Sequence, residues 1–402
     1  MESVETASLG IWMDIGSRHE PRALNGVSHM LEHMVFKGTP TRTARRIAED
    51  IEDVGGHINA YTSRENTAFY AKVMKEDTAL ALDVISDLVL NPLLDAEETK
   101  REQSVVVQEI LQSIDTPDDV VFDLYQNAIY PNQALGRSIL GTEETVRSFS
   151  PDVLRTYLRT NYTPANMIIA AAGKVEHQQI VDLANAALAD APSGDKTTFK
   201  KGSYAPGYHL EPRDLEQVHM IMGFPTVSLV DPDYFAAALM STLFGGGLSS
   251  RLFQEVREKK GLVYSISSHV NAYVDTGYLN IYASAGQNEA AEAIPIICNE
   301  LRALATTVTQ EELTRAKAQA KASIFMSMES TSSRCESLAR QIGVHGRPIS
   351  SEEVMHNIAR VTLDDIQRIT HDIANAHMSF AAIGPIDTMP DHATLQHMLA
   401  SG

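Results

Sequence analysis

The chain is largely written twice, and that repetition limits its fold more than any other feature. A shift of 212 residues lays Ile58-Asn59-Ala60-Tyr61 on Val270-Asn271-Ala272-Tyr273 and Phe69-Tyr70-Ala71 on Ile281-Tyr282-Ala283. The same shift carries Ala79, Ala81, Leu82, Val84 and Ile85 onto Ala291, Ala293, Ile294, Ile296 and Ile297 without a gap. Near the end of each half, Met167 to Glu176 resembles Met378 to Asp387, with Gly173 matching Gly384. A duplication binds both halves to one fold, and 402 residues are too many for a single ordinary core. The expected organisation is therefore an N-terminal domain at 1–190, a linker rich in Pro, Gly, Lys and Asp at 191–214, and a homologous C-terminal domain at 215–402.

The elements expected in the first half alternate between sheet and helix. Thr6 to Gly16 reads as a strand, and His57 to Ser63 and Thr67 to Met74 as two strands joined by a short polar turn. Helices are expected from Asn25 to Gly38, from Ala44 to Val54, where Gly55-Gly56 stops it, and from Asp77 to Leu90, ahead of Pro92. Glu97 to Ile114 is helical, with Val107, Ile110, Leu111 and Ile114 as its packing stripe. The apolar run from Ala165 to Gly173 reads as a buried strand. Both halves should thus share one α+β fold.

Asn25 to Gly38 carries two stripes. Val27, Met30, Leu31, Met34 and Val35 have the spacing of a face that packs into a core. His29, Glu32, His33 and Phe36 lie beside them. Asn25 is placed to cap the first turn and Gly38 to end the last. Two histidines four apart on a helix can share one metal, with Glu32 beside them. A hydrolytic zinc site also needs a third protein ligand and an open position for water. Glu109 is the best candidate for the ligand, and Glu102, two turns earlier on the same helix, is a second carboxylate for its support. The repeat copies neither end of this set: Ser241 stands 212 residues after His29, and Lys321 stands 212 after Glu109. These residues therefore look like chemistry placed on one copy of a scaffold.

The order His29-Met30-Leu31-Glu32-His33 inverts the common zinc-protease arrangement. With Phe36-Lys37-Gly38-Thr39 and Gly55-Gly56-His57-Ile58-Asn59-Ala60-Tyr61-Thr62 it resembles the inverzincin peptidases of the pitrilysin/insulinase (M16) family. Gly245-Gly246-Gly247-Leu248-Ser249-Ser250-Arg251-Leu252-Phe253 and Arg257 to Tyr264 resemble its short, two-domain branch, which includes the mitochondrial processing peptidase β-subunit. The resemblance implies two homologous α+β domains, each a mostly antiparallel sheet packed with helices. It implies zinc held by His29, His33 and Glu109, with Glu32 as general base and Glu102 supporting the site. It further implies that Asn59 and Ala60 hold the substrate backbone as an added strand, with Phe36 counted among the substrate-binding residues, and that Arg257 and Tyr264 act on substrate near the scissile bond. Members usually have an additional strand before the segment matching Val4 to Gly16, and its absence here means either that the sequence is truncated or that the first sheet has one strand fewer.

Such peptidases enclose substrate in a chamber of four domains, so a two-domain chain is expected to pair, as a homodimer or with a related chain. The expected function is a zinc endopeptidase acting on unfolded peptides. The alternative is a non-catalytic scaffold subunit, which the intact His29, Glu32, His33 and Glu109 disfavour. The net charge of −19 excludes a nucleic-acid partner as the first reading and favours basic peptides. There is no apolar run of membrane-span length, Met1 to Glu5 lacks the basic and apolar regions of a secretory signal, and the two cysteines, Cys298 and Cys335, lack metal-type spacing. A cytoplasmic protein with no membrane partner is expected.

Overall fold

The computed structural model describes residues 1–400. Its strands are β1 (Thr6–Met13), β2 (His57–Thr62), β3 (Thr67–Met74), β4 (Met167–Gly173), β5 (Tyr208–Pro212), β6 (Val218–Thr226), β7 (Ser265–Ala272), β8 (Gly277–Ala285) and β9 (Ser379–Gly384). The first eight helices are α1 (Val27–Val35), α2 (Ala44–Glu52), α3 (Thr78–Leu90), α4 (Ala96–Ile114), α5 (Pro117–Ile129), α6 (Glu143–Ser148), α7 (Pro151–Asn161) and α8 (His177–Ala187). The remainder are α9 (Tyr234–Gly245), α10 (Gln287–Thr307), α11 (Gln310–Glu329), α12 (Thr331–His345), α13 (Ser351–Arg360), α14 (Leu363–Ala374) and α15 (His392–Ala400). No helix among the described residues is long and apolar enough to cross a membrane.

The chain forms two compact units. Unit 1 comprises Met1–Gln112, Arg137–Lys200 and Phe325–Pro348, and unit 2 comprises Ser113–Gly136, Lys201–Ile324 and Ile349–Gly402. The units are therefore not contiguous halves. Unit 2 takes α5 from the first half, and unit 1 takes α12 from the second. The passage at Lys200–Lys201 lies inside the stretch read as a linker, and the end of that stretch is strand β5.

Unit 1 holds a four-stranded antiparallel sheet in the order β2-β3-β1-β4. Seven of the eight β1 residues are buried, because the strand is central and both faces of the sheet are covered. One face packs on α1, α3 and α7 through Leu9, Ile11, Val27, Met30, Leu31, Leu82 and Leu154. The other carries Trp12, Ala68, Ala170 and Ala172, which pack with Cys335 and Ala339 of α12. Gly10 is required where β1 meets β3, since a Cβ there would lie 2.5 Å from the Phe69 carbonyl oxygen.

Unit 2 repeats that topology as β7-β8-β6-β9 and adds β5, parallel to β9. The unit 1 sheet has four strands to the five of unit 2. One part of the gapless repeat does not survive in the structure. Asn59 lies across from Tyr70, whereas Asn271 lies across from Tyr278, and Tyr282 faces Ser267. The two hairpins thus run in registers that differ by four residues, because the turn beyond Ala272 closes earlier along the strand. An even slip keeps each side chain on its face, so the pattern of burial is unaffected.

The α4 stripe is also corrected. Its buried residues are Thr99, Glu102, Val106 and Val107, while Leu111 and Ile114 are each 44% exposed. Apolar spacing alone did not reveal that the last turns of α4 lack a covering core.

Candidate metal centre

Helix α1 is fixed at its start by a residue from outside it. The N-cap is Gly26 in the left-handed region (φ 92°), not Asn25, and it makes no side-chain cap bond. The acceptor is the buried Glu20 carboxylate, which receives the Gly26 and Ser28 N–H groups at 2.7 and 2.9 Å and the Asn25 amide at 3.2 Å. A carboxylate there satisfies orphan donors and meets the positive end of the helix dipole. Burial nonetheless pushes the Glu20 pKa up. At the other end the helix closes at Phe36, two residues before the positive-φ Gly38.

His29 is buried, and Glu32 and His33 are half-buried. From α4, Glu109 Oε2 lies 3.5 Å from His29 Nε2 and 3.4 Å from His33 Nε2. One ligand atom from each of the three residues falls within 4.8 Å of the others, a grouping able to hold a metal ion. A tetrahedral zinc ion with bonds of about 2.0–2.1 Å holds its ligands about 3.3–3.4 Å apart. The Glu109 contacts have that size, and two imidazoles with one carboxylate form a zinc-type donor set. The chemistry of the residues fits the metal.

The electrostatics follow from the same contacts. His29 first, then His33, draw the Glu109 pKa well below the carboxylate range. Burial lowers the His33 pKa, but Glu109 and Glu102 outweigh it, and the net shift is upward.

Support comes from two directions. His33 Nδ1 donates to Glu102 Oε2 at 3.2 Å, and Lys37 Nζ meets Glu102 Oε1 at 2.6 Å. Glu102 is 5% exposed, so the Lys37 ammonium and the His33 N–H compensate a buried charge. Thr62 Oγ1 at the end of β2 donates to Glu32 Oε2 at 2.6 Å. The sequence reading missed Lys37, Thr62 and Glu20. Lys37 carried a signal, lying four residues after His33 just past the end of α1, but the other two act across contacts that exist only after folding.

Asn59 and Ala60 lie on β2, the edge strand of the sheet, and Asn59 Oδ1 accepts from the Ala60 N–H at 2.9 Å. Phe36 and Asn59 line a 410 Å³ pocket with Ile47, Ala48, Ile51 and Ile58. Arg257 and Tyr264 belong to unit 2. Arg257 lies on a π-helical turn, Phe253–Glu258, its guanidinium 4.7 Å from the Phe253 ring centre and 5.9 Å from that of Tyr264. Tyr264 is 74% exposed.

This fold is that of a peptidase family whose models match both halves. Residues 1–143 match the model described as insulinase (peptidase family M16), and 148–320 match the peptidase M16 inactive domain. The chain belongs to peptidase family M16, in its short two-domain form. It is 36% identical to an uncharacterized zinc protease of Rickettsia bellii, over 96% of this chain and 94% of that one. It is 37% identical to the uncharacterized zinc protease YmxG of Bacillus subtilis, over 96% and 95%. A protease structure from Helicobacter pylori has the same fold, with a TM-score of 0.87 at 20% identity over 94% of each chain.

Proposed function

We propose that this chain is a zinc endopeptidase that hydrolyses unfolded peptides in a chamber formed between paired subunits. The observation that carries the reading is the convergence of His29, His33 and Glu109 within 4.8 Å, beside a carboxylate, Glu32, held by Thr62. The zinc-protease names of the relatives support it. His29, His33 and Glu109 would hold zinc, with Glu102 orienting His33. Bound zinc supplies a Lewis acid and a water acidified towards a pKa of roughly 7.

Glu32 Oε2 is engaged by Thr62, so Oε1 is the oxygen that takes the proton of the attacking water and passes it to the departing amine. Asn59 and Ala60 on the β2 edge take the substrate backbone as an added strand, and Phe36 contacts a side chain of that strand. The Tyr264 hydroxyl and the Arg257 guanidinium donate to the oxygen that gains charge, where such donors contribute about 3–4 kcal/mol each. The acidic balance of the chain favours basic peptides.

Subunit mixing tests the shared site. A Glu32→Gln variant and an Arg257→Ala/Tyr264→Phe variant are each expected to be nearly inactive, and to regain activity when mixed as homodimers exchange subunits. Verified exchange without recovery overturns sharing. A zinc-loaded protein inert towards every unfolded peptide, alone and with related chains, would instead mark a scaffold subunit.

A further inference from the structure

We infer that Thr62 is a positioning residue for the Glu32 carboxylate, selecting which of its oxygens takes the proton. The inference rests on the reading of Glu32 as general base. Thr62 is the last residue of β2 and pairs with Thr67 of β3. Alternation places it on the same face as Ile58 and Ala60, which pack against the helix-side core. Its hydroxyl has one proton to give, and that proton goes to Glu32 Oε2 across 2.6 Å, the short distance of a charge-assisted bond. Branching at Cβ leaves few rotamers, which fixes the direction of the donor. The neighbouring Thr67 hydroxyl does not compete, since it donates to the Ile15 carbonyl at 2.9 Å.

The second copy of the fold shows what the position becomes without this contact. The offset that carries β3 onto β8 places Leu279 at Thr67, and the residue paired with Leu279 is Val270. The same offset places Phe244 at Glu32. Phe244 is buried in the unit 2 apolar core, and Val270, partly buried, packs against that core. The scaffold therefore has an apolar solution for the end of this strand over this helix. Unit 1 replaces both members with a donor and an acceptor, and only the copy that has the metal-binding trio does so. A hydroxyl needed for folding alone would have no reason to vary together with the carboxylate.

The test uses the full-length, zinc-loaded protein and a mixed library of short quenched-fluorescent peptides. Thr62→Val, which supplies the residue of the second copy, should lower kcat about 10- to 100-fold, the usual cost of losing an outer partner. KM, zinc content and Tm should stay near the parent values, and Thr62→Ser should restore most of the rate. In a Glu32→Gln background, Thr62→Val should add no further loss. An undiminished kcat in Thr62→Val overturns the inference. So does a loss that Ser does not rescue, a loss accompanied by falling zinc content and Tm, or an equal loss in the Glu32→Gln background. Full activity of Glu32→Gln by itself would instead overturn the reading of Glu32 as base.

Discussion

Glu102 serves two donors from a nearly dry position, and its two oxygens are divided between them: Oε2 to His33 and Oε1 to Lys37. Glu102→Ala removes the partner of the half-buried Lys37 and frees the imidazole to turn, so zinc affinity should fall about 10- to 100-fold, read by chelator competition. Glu109→Gln removes the charge of the third ligand and should fall further in the same assay. Much of this was legible residue by residue. Two histidines four apart share a helix face by geometry, and Glu102 and Glu109 are two turns apart on another helix. That Glu102 is buried was not legible, because a carboxylate in sequence reads as exposed until a lysine and a histidine are seen around it. Thr62 was equally hidden: its contact with Glu32 spans 30 residues and exists only once the hairpin is placed over α1.

At the level of elements, α1 is held at its first turn by Glu20, and Glu20→Ala should unwind that turn. Three acceptor contacts are lost, and stability should fall by about 1–3 kcal/mol, measured by urea denaturation of zinc-free protein. A second anchor joins the α1–α2 connection to α3. Arg42 meets Asp50 at 3.0 Å, Asp87 at 2.8 Å and also Asp83, while Thr39 and Thr41 donate to Asp87. Burial pushes the Asp87 pKa up, but the bonds from Thr39, Thr41, Arg42 and Asn91 outweigh it and the net shift is downward. A lowered folded-state pKa means stability that is present above the unfolded value of about 3.9 and is lost as pH falls through the folded value. Asp87→Asn should therefore unfold at lower urea than the parent at neutral pH. The two midpoints should approach each other below about pH 4, as the parent loses its advantage.

For the whole molecule, the exchange of α5 and α12 decides how the chain can be divided. The face of the unit 1 sheet bearing Trp12, Ala68, Ala170 and Ala172 is closed by α12, with Ser8 Oγ 2.8 Å from Thr331 Oγ1. A fragment ending at Lys200 lacks that helix. It should show no cooperative unfolding transition, and its only tryptophan, Trp12, should emit at longer wavelength than in the intact chain. A fragment from Lys201 onward lacks α5, and with it Val121, Tyr125 and Ile129 of the cluster packed on Ile221, Ala381 and Ile383. It should likewise fail to fold alone.

The sequence by itself determined the duplicated α+β scaffold, the helix presenting two imidazoles and a carboxylate, and the fact that the second copy lacks them. Those properties depend on periodicity and spacing, which are local and survive in one dimension. Tertiary structure decided which helix belongs to which unit, the four-residue difference between the hairpins, and the Lys37, Thr62 and Glu20 contacts around the candidate metal site. Each of these is a choice between partners distant in the chain. Burial and hydrogen-bond satisfaction, rather than local preference, select among such partners.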